Sequence, residues 1–342
     1  MFLKKKINFT VDGEVKTLLP GEIYCSKKTR DYYRDAPEKT LLDIACLINK
    51  GEKWSHVLSD IFEEKYNWLY QIITSKSRMK FFDEHLLCNA KRILDIGAGW
   101  GQFSVPLAKN NFVCAVEPTP ERVTVIDCIA RQEKIRKNLF LIQDDYLEID
   151  FDTSFDVVLC IGVLEWLGSF RKNENPYDVQ KSFLKKIKSE LSLKGSLVIG
   201  IENRMGLKYL MGAKDDHTGL SGISNLDSKL AKEKFYNLKQ TELRCFTYSM
   251  AEYKKILTQT GFKKIKFYAT FPDYKIPEHI FEIRGDSCEM NKFILHGNQI
   301  REHDGSNGLP LTNQDEINSH YYSLAEMGIS HIFAPSFFIR AS

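Results

Sequence analysis

A glycine-rich turn between a predicted strand and a predicted helix constrains this chain more than any other feature. The segment runs from Ile93 to Phe103, with glycines at positions 97, 99 and 101 in the spacing G-x-G-x-G. Glycines there let the backbone bend tightly and let a ligand approach the chain and the next helix N-terminus. The dinucleotide fingerprint G-x-G-x-x-G needs a glycine at position 102, where this chain has Gln. The pattern therefore disfavours a nicotinamide dinucleotide.

Acidic residues stand near this turn and after the next two predicted strands. Asp95 precedes the turn, where it would repel a pyrophosphate but could hold the ammonium group of a cationic ligand, directly or through water. Glu117 ends the second strand, about twenty residues after the first glycine, where an acid can accept both hydroxyls of an adenosine ribose. After the third strand, Asp144, Asp145 and Tyr146 offer a carboxylate and an aromatic face for an adenine edge. In this order, the features predict a site for an adenosine cofactor.

Short apolar segments alternate with helical ones from residue 91 onward, which indicates βαβ units and a doubly wound, parallel sheet. The candidate strands are Arg92–Asp95, Phe112–Val116, Leu139–Ile142, Phe155–Leu159, Ser196–Ile201 and Lys264–Thr270, with Phe333–Ile339 as a final edge strand. A helix is predicted between the fourth and fifth of these, from Val179 to Leu191.

The remaining length predicts a cap and two insertions. Residues 1–88 combine a β-hairpin, turning at Asp12-Gly13, with a helical cap that includes a helix from Leu41 to Ile48. Residues 89–342 are predicted to be the catalytic domain, with insertions at about 203–246 and 272–331 on the acceptor side. Long loops inside compact domains tend to be functional.

Four segments resemble the motifs of the class I S-adenosylmethionine-dependent methyltransferases over about residues 90–270: 94–101, 116–118, 143–146 and 155–165. The resemblance implies an α/β, Rossmann-like, doubly wound sheet of seven mostly parallel strands, the last antiparallel. It implies S-adenosyl-L-methionine as cofactor and S-adenosyl-L-homocysteine as product. The cofactor contacts it predicts are Asp95, Gly97, Ala98, Gly99, Gly101, Glu117, Pro118, Asp145, Tyr146 and Gly162.

A narrower resemblance lies in the segments 201–209, 216–219, 271–277 and 333–337. They are similar to a group of bacterial methyltransferases that accompany glycosyltransferases in surface-polysaccharide biosynthesis. This resemblance implies an acceptor hydroxyl on a sugar or glycan-like small molecule. The first ninety residues carry no such resemblance.

Polar residues after the fifth strand are the candidates for catalysis. His217 lies in a long loop at the predicted carboxyl end of the sheet, and histidine suits a general base because it titrates near neutral pH. Asp216 could orient it, although the segment from Asp216 to Gly219 also fits a solvated turn. Arg204 could bind a phosphate or carboxylate as a fork, or form a structural ion pair with Glu202.

Composition narrows the class of protein. The 48 basic and 45 acidic residues are mixed, whereas a nucleic-acid binder gathers basic residues, so no nucleic-acid partner is expected. No apolar run reaches the roughly 18 residues of a membrane span, and the polar start, Met1–Lys6, lacks the apolar core of a secretory signal. The eight cysteines include no CxxC pair, which predicts a cytoplasmic protein without a metal site. The oligomeric state stays open.

The leading prediction is a methyltransferase acting on a sugar-like hydroxyl. One alternative is N- or O-methylation of another small metabolite, including an amino sugar, for which no general base is needed. Another is a non-catalytic partner protein that binds S-adenosylmethionine. An RNA methyltransferase is disfavoured because the chain has no Asn-Pro-Pro-Tyr-type motif after the fourth strand and no basic stripe.

Overall fold

The structure, a computed structural model, describes residues 6–28, 32–86, 88–285, 289–304 and 308–342. Cys288 and most of the polar start, residues 1–5, lie outside these ranges, and the other seven cysteines are free thiols. The chain divides into two compact units. The first comprises residues 1–161 and 186–197, and the second comprises residues 162–185 and 198–342. The predicted boundary near residue 88 therefore lies inside the first unit.

The first unit contains eight strands and six α-helices in its described residues. The strands are β1 (Ile7–Val11), β2 (Glu14–Leu18), β3 (Ile23–Cys25), β4 (Arg92–Ile96), β5 (Phe112–Val116), β6 (Leu139–Gln143), β7 (Ile149–Phe151) and β8 (Phe155–Ile161). The helices are α1 (Glu38–Asn49), α2 (Trp54–Phe62), α3 (Asn67–Thr74), α4 (Lys80–His85), α5 (Ser104–Leu107) and α6 (Pro120–Gln132). Helix α7 (Pro176–Glu190) and strand β9 (Leu191–Glu202) each belong partly to both units.

Parallel strands form the centre of the first unit, in the order β8-β4-β5-β6-β3. In β4, Leu94 lies opposite Cys114 of β5 and Val158 of β8, and the residues from Ile93 to Ile96 are buried. Continuous apolar runs are typical of strands covered on both faces. Because the strands are parallel, the residues that follow β4, β5 and β6 meet at one edge of the sheet.

The N-terminal residues are part of this unit. Strand β1 pairs with β2 across the turn at Asp12 and Gly13, whose φ angles are +52° and +77°, and pairs with β7 on its other side. Helix α1 packs against α6, and the amide of Gln132 donates to the carbonyl of Ile48 at 3.4 Å. The predicted hairpin and the predicted helix from Leu41 to Ile48 are both present.

The second unit contains the rest of the described chain. Its helices are α8 (Leu207–Leu210), α9 (Ser228–Lys239), α10 (Met250–Gln259), α11 (Glu289–Leu295) and α12 (Gln314–Glu326). Its strands are β10 (Ile265–Phe271), β11 (His279–Ile283), β12 (His303–Asp304), β13 (Leu309–Pro310) and β14 (Ser336–Ala341). Strand β10 is antiparallel to both β14 and β11. Helix α10 begins at the predicted capping box, in which Ser249 and Glu252 each bind the other's backbone.

The main sheet has nine strands, in the order β11-β10-β14-β9-β8-β4-β5-β6-β3, so the expected count of seven is wrong. The two additional strands are at the edges. Strand β3 comes from the N-terminal residues, and β11 comes from the segment predicted as the second insertion. Within the described chain, no helix combines the length and the apolar character needed to cross a membrane.

Candidate functional site

The glycine-rich turn after β4 adopts a backbone that requires its glycines. Gly97, Gly99 and Gly101 have φ angles of +67°, +57° and +75°, which L side chains rarely adopt. A Cβ on Gly101 would lie 3.1 Å from Cγ1 of Ile126 and 3.2 Å from Cγ2 of Val105, so this glycine also permits close packing against α5 and α6. The N–H groups of Gly97 and Ala98 both donate to the carbonyl of Val116, at 2.8 and 3.1 Å, which joins the turn to the end of β5.

Glu117 links the end of β5 to this turn. One carboxylate oxygen, Oε2, accepts a hydrogen bond from the backbone N–H of Gly99 at 2.9 Å, and Oε1 accepts one from Thr119 at 3.0 Å. The side chain is buried, and Nη1 of Arg122 lies 3.9 Å from Oε1. Each oxygen retains a lone pair, as recognition of two ribose hydroxyls requires.

Asp95 is a buried acid at the carboxyl end of β4. Burial raises its pKa to about 7, although a 2.6 Å hydrogen bond from the hydroxyl of Ser104 opposes the shift. The negative charge of Glu117 raises the pKa further. A cationic group bound nearby would favour ionised Asp95, so this position suits a positively charged ligand.

The two acids after β6 have different surroundings. Oδ1 of Asp145 caps the following turn by accepting from the N–H of Leu147, and Oδ2 accepts from the hydroxyl of Tyr32 at 3.1 Å. Asp144 is buried, and its Oδ2 has no hydrogen-bond partner. The sequence placed the adenine contact in the segment from Asp144 to Tyr146 and assigned it to Asp145 and Tyr146. The structure leaves an acceptor free on Asp144.

Tyr146 does not present an open aromatic face. Its ring is buried and stacks against Phe151, and its hydroxyl donates to Oε2 of Glu190 at 2.6 Å. The expectation that Tyr146 contacts an adenine is therefore corrected, since its ring and its hydroxyl are both occupied by the core.

These residues fit an adenosine cofactor that carries positive charge. Glu117 offers paired acceptors beside the glycine turn, Asp95 favours a cation, and Asp144 has an acceptor without a donor. The last observation carries most weight, because a buried polar atom normally has a partner.

Gly162, which the sequence also assigned to the cofactor, lies in the second unit. It has a φ angle of +66°, and a Cβ there would lie 2.9 Å from the hydroxyl oxygen of Tyr274. Glycine is thus required at position 162 because Tyr274 approaches it closely. Contact of Gly162 with a cofactor stays a prediction.

His217 is the centre of a buried charged cluster in the second unit. Its Nε2 lies 3.6 Å from Oε1 of Glu165 and 3.5 Å from Oε2 of Glu202. Burial lowers the pKa of His217, but the charges of Glu202 and Glu165 outweigh it and raise the pKa to about 9. The edge of Trp166 packs against the imidazole at a centroid distance of 5.1 Å. At neutral pH, His217 is an imidazolium.

Asp216 does not orient His217 as the sequence suggested. Its Oδ2 accepts from Nζ of Lys208 at 3.0 Å and from the hydroxyl of Tyr209. Burial would raise the pKa of Asp216, but Lys208, Lys275 and His217 lower it well below its usual range. Glu165 and Glu202 hold the positions that face the imidazole.

Lys275 is a member of this cluster that sequence reasoning missed. Its ammonium bonds to Oε1 of Glu202 and lies 3.3 Å from Oδ2 of Asp273. The only sequence signal was its presence in the Phe271–Pro277 segment. Three buried carboxylate oxygens in the cluster have no hydrogen-bond partner: Oε2 of Glu165, Oε2 of Glu202 and Oδ1 of Asp216.

Two groups of side chains in the described ranges have ligand atoms close enough together, within 4.8 Å, to hold a metal ion. One is Glu165, Glu202 and His217, and the other is Glu202, Asp216 and Asp273. In the first group the imidazolium of His217 neutralises charge, and in the second the ammonium of Lys275 does so. The protein therefore supplies its own cations to these carboxylates.

Arg204 has a structural partner. Its Nε and Nη2 bind the two carboxylate oxygens of Glu252 at 2.7 and 3.2 Å, and its Nη1 donates to the carbonyls of Asn225 and Leu226. Arg204 therefore forms a structural ion pair, as one of the two sequence alternatives predicted, but its partner is Glu252 and not Glu202. The fork expected to bind an anion is occupied by the protein itself.

Comparison with known proteins identifies the glycine-rich segment. Residues 93–174, from β4 into the segment before α7, match the sequence model of the methyltransferase domain family. Over these residues the chain is similar to methyltransferase domains. The methyl donor of this domain is S-adenosyl-L-methionine, in agreement with the cofactor predicted from the sequence.

Curated O-methyltransferases of Rickettsia species are similar to part of this chain. The chain is 28% identical over 132 residues to a ubiquinone biosynthesis O-methyltransferase of Rickettsia akari, covering 38% of this chain and 47% of the relative. It is 30% identical over 121 residues to the protein of that name from Rickettsia conorii, covering 35% of this chain and 38% of the relative. The chain thus spans less than half the length of these relatives.

Solved structures of methyltransferases are similar at low identity. One is phosphoethanolamine N-methyltransferase 2 of Haemonchus contortus in complex with S-adenosyl-L-methionine. It is 13% identical, with a TM-score of 0.43, and the alignment covers 85% of this chain and 60% of that one.

Proposed function

We propose that this protein is an S-adenosylmethionine-dependent methyltransferase that methylates a hydroxyl group of a sugar or glycan-like small molecule. The methyltransferase domain and the O-methyltransferase relatives support the reaction. The narrower sequence resemblance supports the acceptor class. The observation that carries the proposal is the buried His217 between two glutamates, because a hydroxyl acceptor needs a proton acceptor.

The cofactor-binding residues are proposed from the first unit. Bound S-adenosylmethionine supplies an electrophilic methyl group on a sulfonium. Glu117 accepts hydrogen bonds from the ribose hydroxyls, Asp95 favours the cationic amino-acid end, and Asp144 accepts from the adenine amino group. The turn residues line the cofactor: Gly97, Ala98, Gly99 and Gly101, with Pro118 after β5.

The proton of the acceptor hydroxyl passes to the neutral form of His217. As the acceptor oxygen takes the methyl group, the imidazole gains that proton, and Glu165 and Glu202 stabilise the imidazolium. Lys275 holds Glu202 in place through its ammonium. General bases of this kind contribute typically ~10²–10⁴-fold to the rate.

A molecule with several hydroxyl groups suits the unpartnered oxygens of the second unit. Glu165, Glu202 and Asp216 each have one buried carboxylate oxygen that makes no hydrogen bond. For Glu202 and Asp216 that oxygen has an ion-pair contact instead, with His217 at 3.5 Å and with Lys275 at 3.9 Å. Leaving such an atom unsatisfied costs about 1–3 kcal/mol, which a bound hydroxyl donor would offset. This is the structural support for a sugar-like acceptor.

An amine acceptor is the second candidate, because the same carboxylates would bind an ammonium group. The unpartnered oxygens of Glu165 and Glu202 favour this alternative as well. An amine must lose its proton before it attacks, so its own pKa would then appear in the pH dependence of the rate. A hydroxyl acceptor would report the pKa of His217.

The experiment is transfer of a labelled methyl group from S-adenosylmethionine to nucleotide sugars, oligosaccharides, amino sugars and RNA in parallel. We expect label in a sugar hydroxyl, and we expect His217→Ala to lose at least a hundredfold in turnover while keeping its cofactor affinity. The control is His320→Ala, which removes an exposed histidine near Glu316. Full activity of His217→Ala excludes the proposed base, and label only in amines or RNA excludes the proposed acceptor.

A further inference from the structure

A segment of the N-terminal region lies against the residues of the methyltransferase motifs within the first unit. We name residues 32–36, just before α1, the strap. Oδ2 of Asp35 accepts a 3.0 Å hydrogen bond from the indole Nε1 of Trp100, inside the glycine-rich turn. The hydroxyl of Tyr32 donates to Oδ2 of Asp145, after β6. The strap therefore contacts the segment after β4 and the segment after β6.

Asp35 also binds the guanidinium that lies next to Glu117. Its Oδ1 accepts a 2.6 Å hydrogen bond from Nη2 of Arg122, and Nη1 of the same guanidinium lies 3.9 Å from Oε1 of Glu117. The first contact is a strong charge-assisted hydrogen bond, whereas the second is too long for a hydrogen bond. Arg122 is buried, so its position depends on these two carboxylates.

We propose that Asp35 is a positioning residue for the cofactor, through which the strap completes the S-adenosylmethionine site. Asp35 holds Arg122 away from Glu117 and holds the indole of Trp100 against the strap. Without the charge of Asp35, the guanidinium moves onto Glu117 and occupies the oxygen that the ribose hydroxyl needs. This inference rests on the proposed cofactor site, and it assigns a role to N-terminal residues that no motif covers.

The geometry favours this role over a purely structural one. A structural tie would need one partner on the body of the unit. Asp35 instead joins two side chains with its two oxygens: Trp100 in the glycine-rich turn and Arg122 of α6, which lies beside Glu117. Arg34 makes the structural comparison possible, because its Nη2 lies 3.6 Å from Oε2 of Glu121, one residue before Arg122. That ion pair ties the strap to the same helix without contacting Glu117.

The test is calorimetric titration of the full chain with S-adenosylmethionine and S-adenosylhomocysteine. Asp35→Asn keeps the shape of the side chain but removes the negative charge that binds Arg122. We expect the dissociation constants of both compounds to rise about tenfold in this variant. Asp35→Glu should recover part of the affinity. Adding Arg122→Gln to Asp35→Asn should also recover affinity, because the group that covers Glu117 is then gone.

Glu121→Gln is the matched control, since it breaks the ion pair between Arg34 of the strap and α6. We expect it to change the unfolding temperature of the free protein without changing the dissociation constants. If Asp35→Asn yields no folded protein, Tyr32→Phe gives a milder test at Asp145, with an expected two- to threefold loss of affinity.

The outcomes separate this inference from the proposed function. Wild-type protein that binds neither compound overturns the proposed function. Wild-type protein that binds, with Asp35→Asn binding equally well, overturns the strap inference alone. If Asp35→Asn does not fold, unchanged binding by Tyr32→Phe overturns it instead. An Asp35→Asn protein that unfolds earlier but binds as the wild type does shows a structural role and also overturns it.

Discussion

The imidazole Nε2 of His217 lies 3.5 Å from Oε2 of Glu202, the last residue of β9. Both side chains are buried, with 7% and 1% of their surface exposed, so little solvent screens their attraction. Burial alone would lower the pKa of His217, but Glu202 and Glu165 raise it to about 9. His217 is thus protonated at neutral pH and can accept a proton only in alkaline solution.

The pH dependence of the methyl transfer should report this pair. A base acts in its neutral form, so a base whose pKa is about 9 predicts a turnover number that rises about tenfold per pH unit from 7 towards 9. Above that pH the turnover number should become constant. Initial rates with labelled S-adenosylmethionine between pH 6 and 10 measure the profile, which the hypothesis requires to be steep. A rate that is constant down to pH 6.5 contradicts it.

Replacing Glu202 should shift the pH dependence of the turnover number. Glu202→Gln removes the charge that raises the pKa of His217, so the rising limb should shift to lower pH, by about one unit. Glu282→Gln is the control, because Glu282 pairs with Lys266 and Arg284 instead. An unchanged midpoint in Glu202→Gln would mean that another group is titrating.

The charge of Asp95 should lower the stability of the free protein and favour binding of the cofactor. Burial raises its pKa in the folded protein to about 7, above the ordinary value of 3.8, so the folded state holds the proton more tightly than the unfolded state. Stability is therefore lost as pH rises from about 4 to about 7. Asp95→Asn should remove this loss and gain up to about 4 kcal/mol in the free energy of unfolding at pH 8. Urea unfolding at pH 4.5 and pH 8 measures the gain, which should appear only at the higher pH.

The same variant should bind S-adenosylmethionine at least tenfold more weakly at pH 8, because the amide cannot attract a cationic group. Calorimetric titration measures this affinity. Unchanged affinity would remove Asp95 from the cofactor site even if the stability effect is found.

The two acids after β6 should differ in their effect on the cofactor. Asp144→Asn replaces a buried acceptor that has no partner, and we expect cofactor affinity to fall about tenfold. Asp145→Asn changes a residue that caps a turn through Oδ1, which the amide oxygen can replace, so the loss should be smaller. Calorimetric titration of both variants with S-adenosylmethionine shows which acid contributes more to cofactor affinity. A larger loss in Asp145→Asn would restore the assignment made from the sequence.

Arg204 should matter for stability more than for binding. Arg204→Gln breaks the two-point contact with Glu252 at the start of α10, with an expected loss of about 1 kcal/mol in the free energy of unfolding. The KM for the acceptor should stay within twofold of the wild type. Chemical unfolding and steady-state kinetics measure the two effects. A tenfold rise in KM without loss of stability would instead support the anion contact first predicted for this residue.

Local elements were predictable because adjacent residues encode them. The apolar runs at Arg92–Ile96 and Phe112–Val116, the hairpin turn at Asp12-Gly13 and the capping box at Ser249 each depend on residues that are close in sequence. Strand β11 was missed because alternation of apolar and polar side chains is confined to Phe281, Glu282 and Ile283, and pairing with β10 stabilises the strand.

The sequence by itself determined the glycine-rich turn, the acid at Glu117 and hence the class of cofactor, because turn conformation and strand ends follow from short-range pattern. Only the tertiary structure decided which acids act where. Glu165 and Glu202, not the neighbouring Asp216, face His217, and Glu252 takes the fork of Arg204. Charged side chains choose partners by distance and burial in space. Sequence adjacency does not predict such pairing, since neighbouring residues in a loop point in different directions.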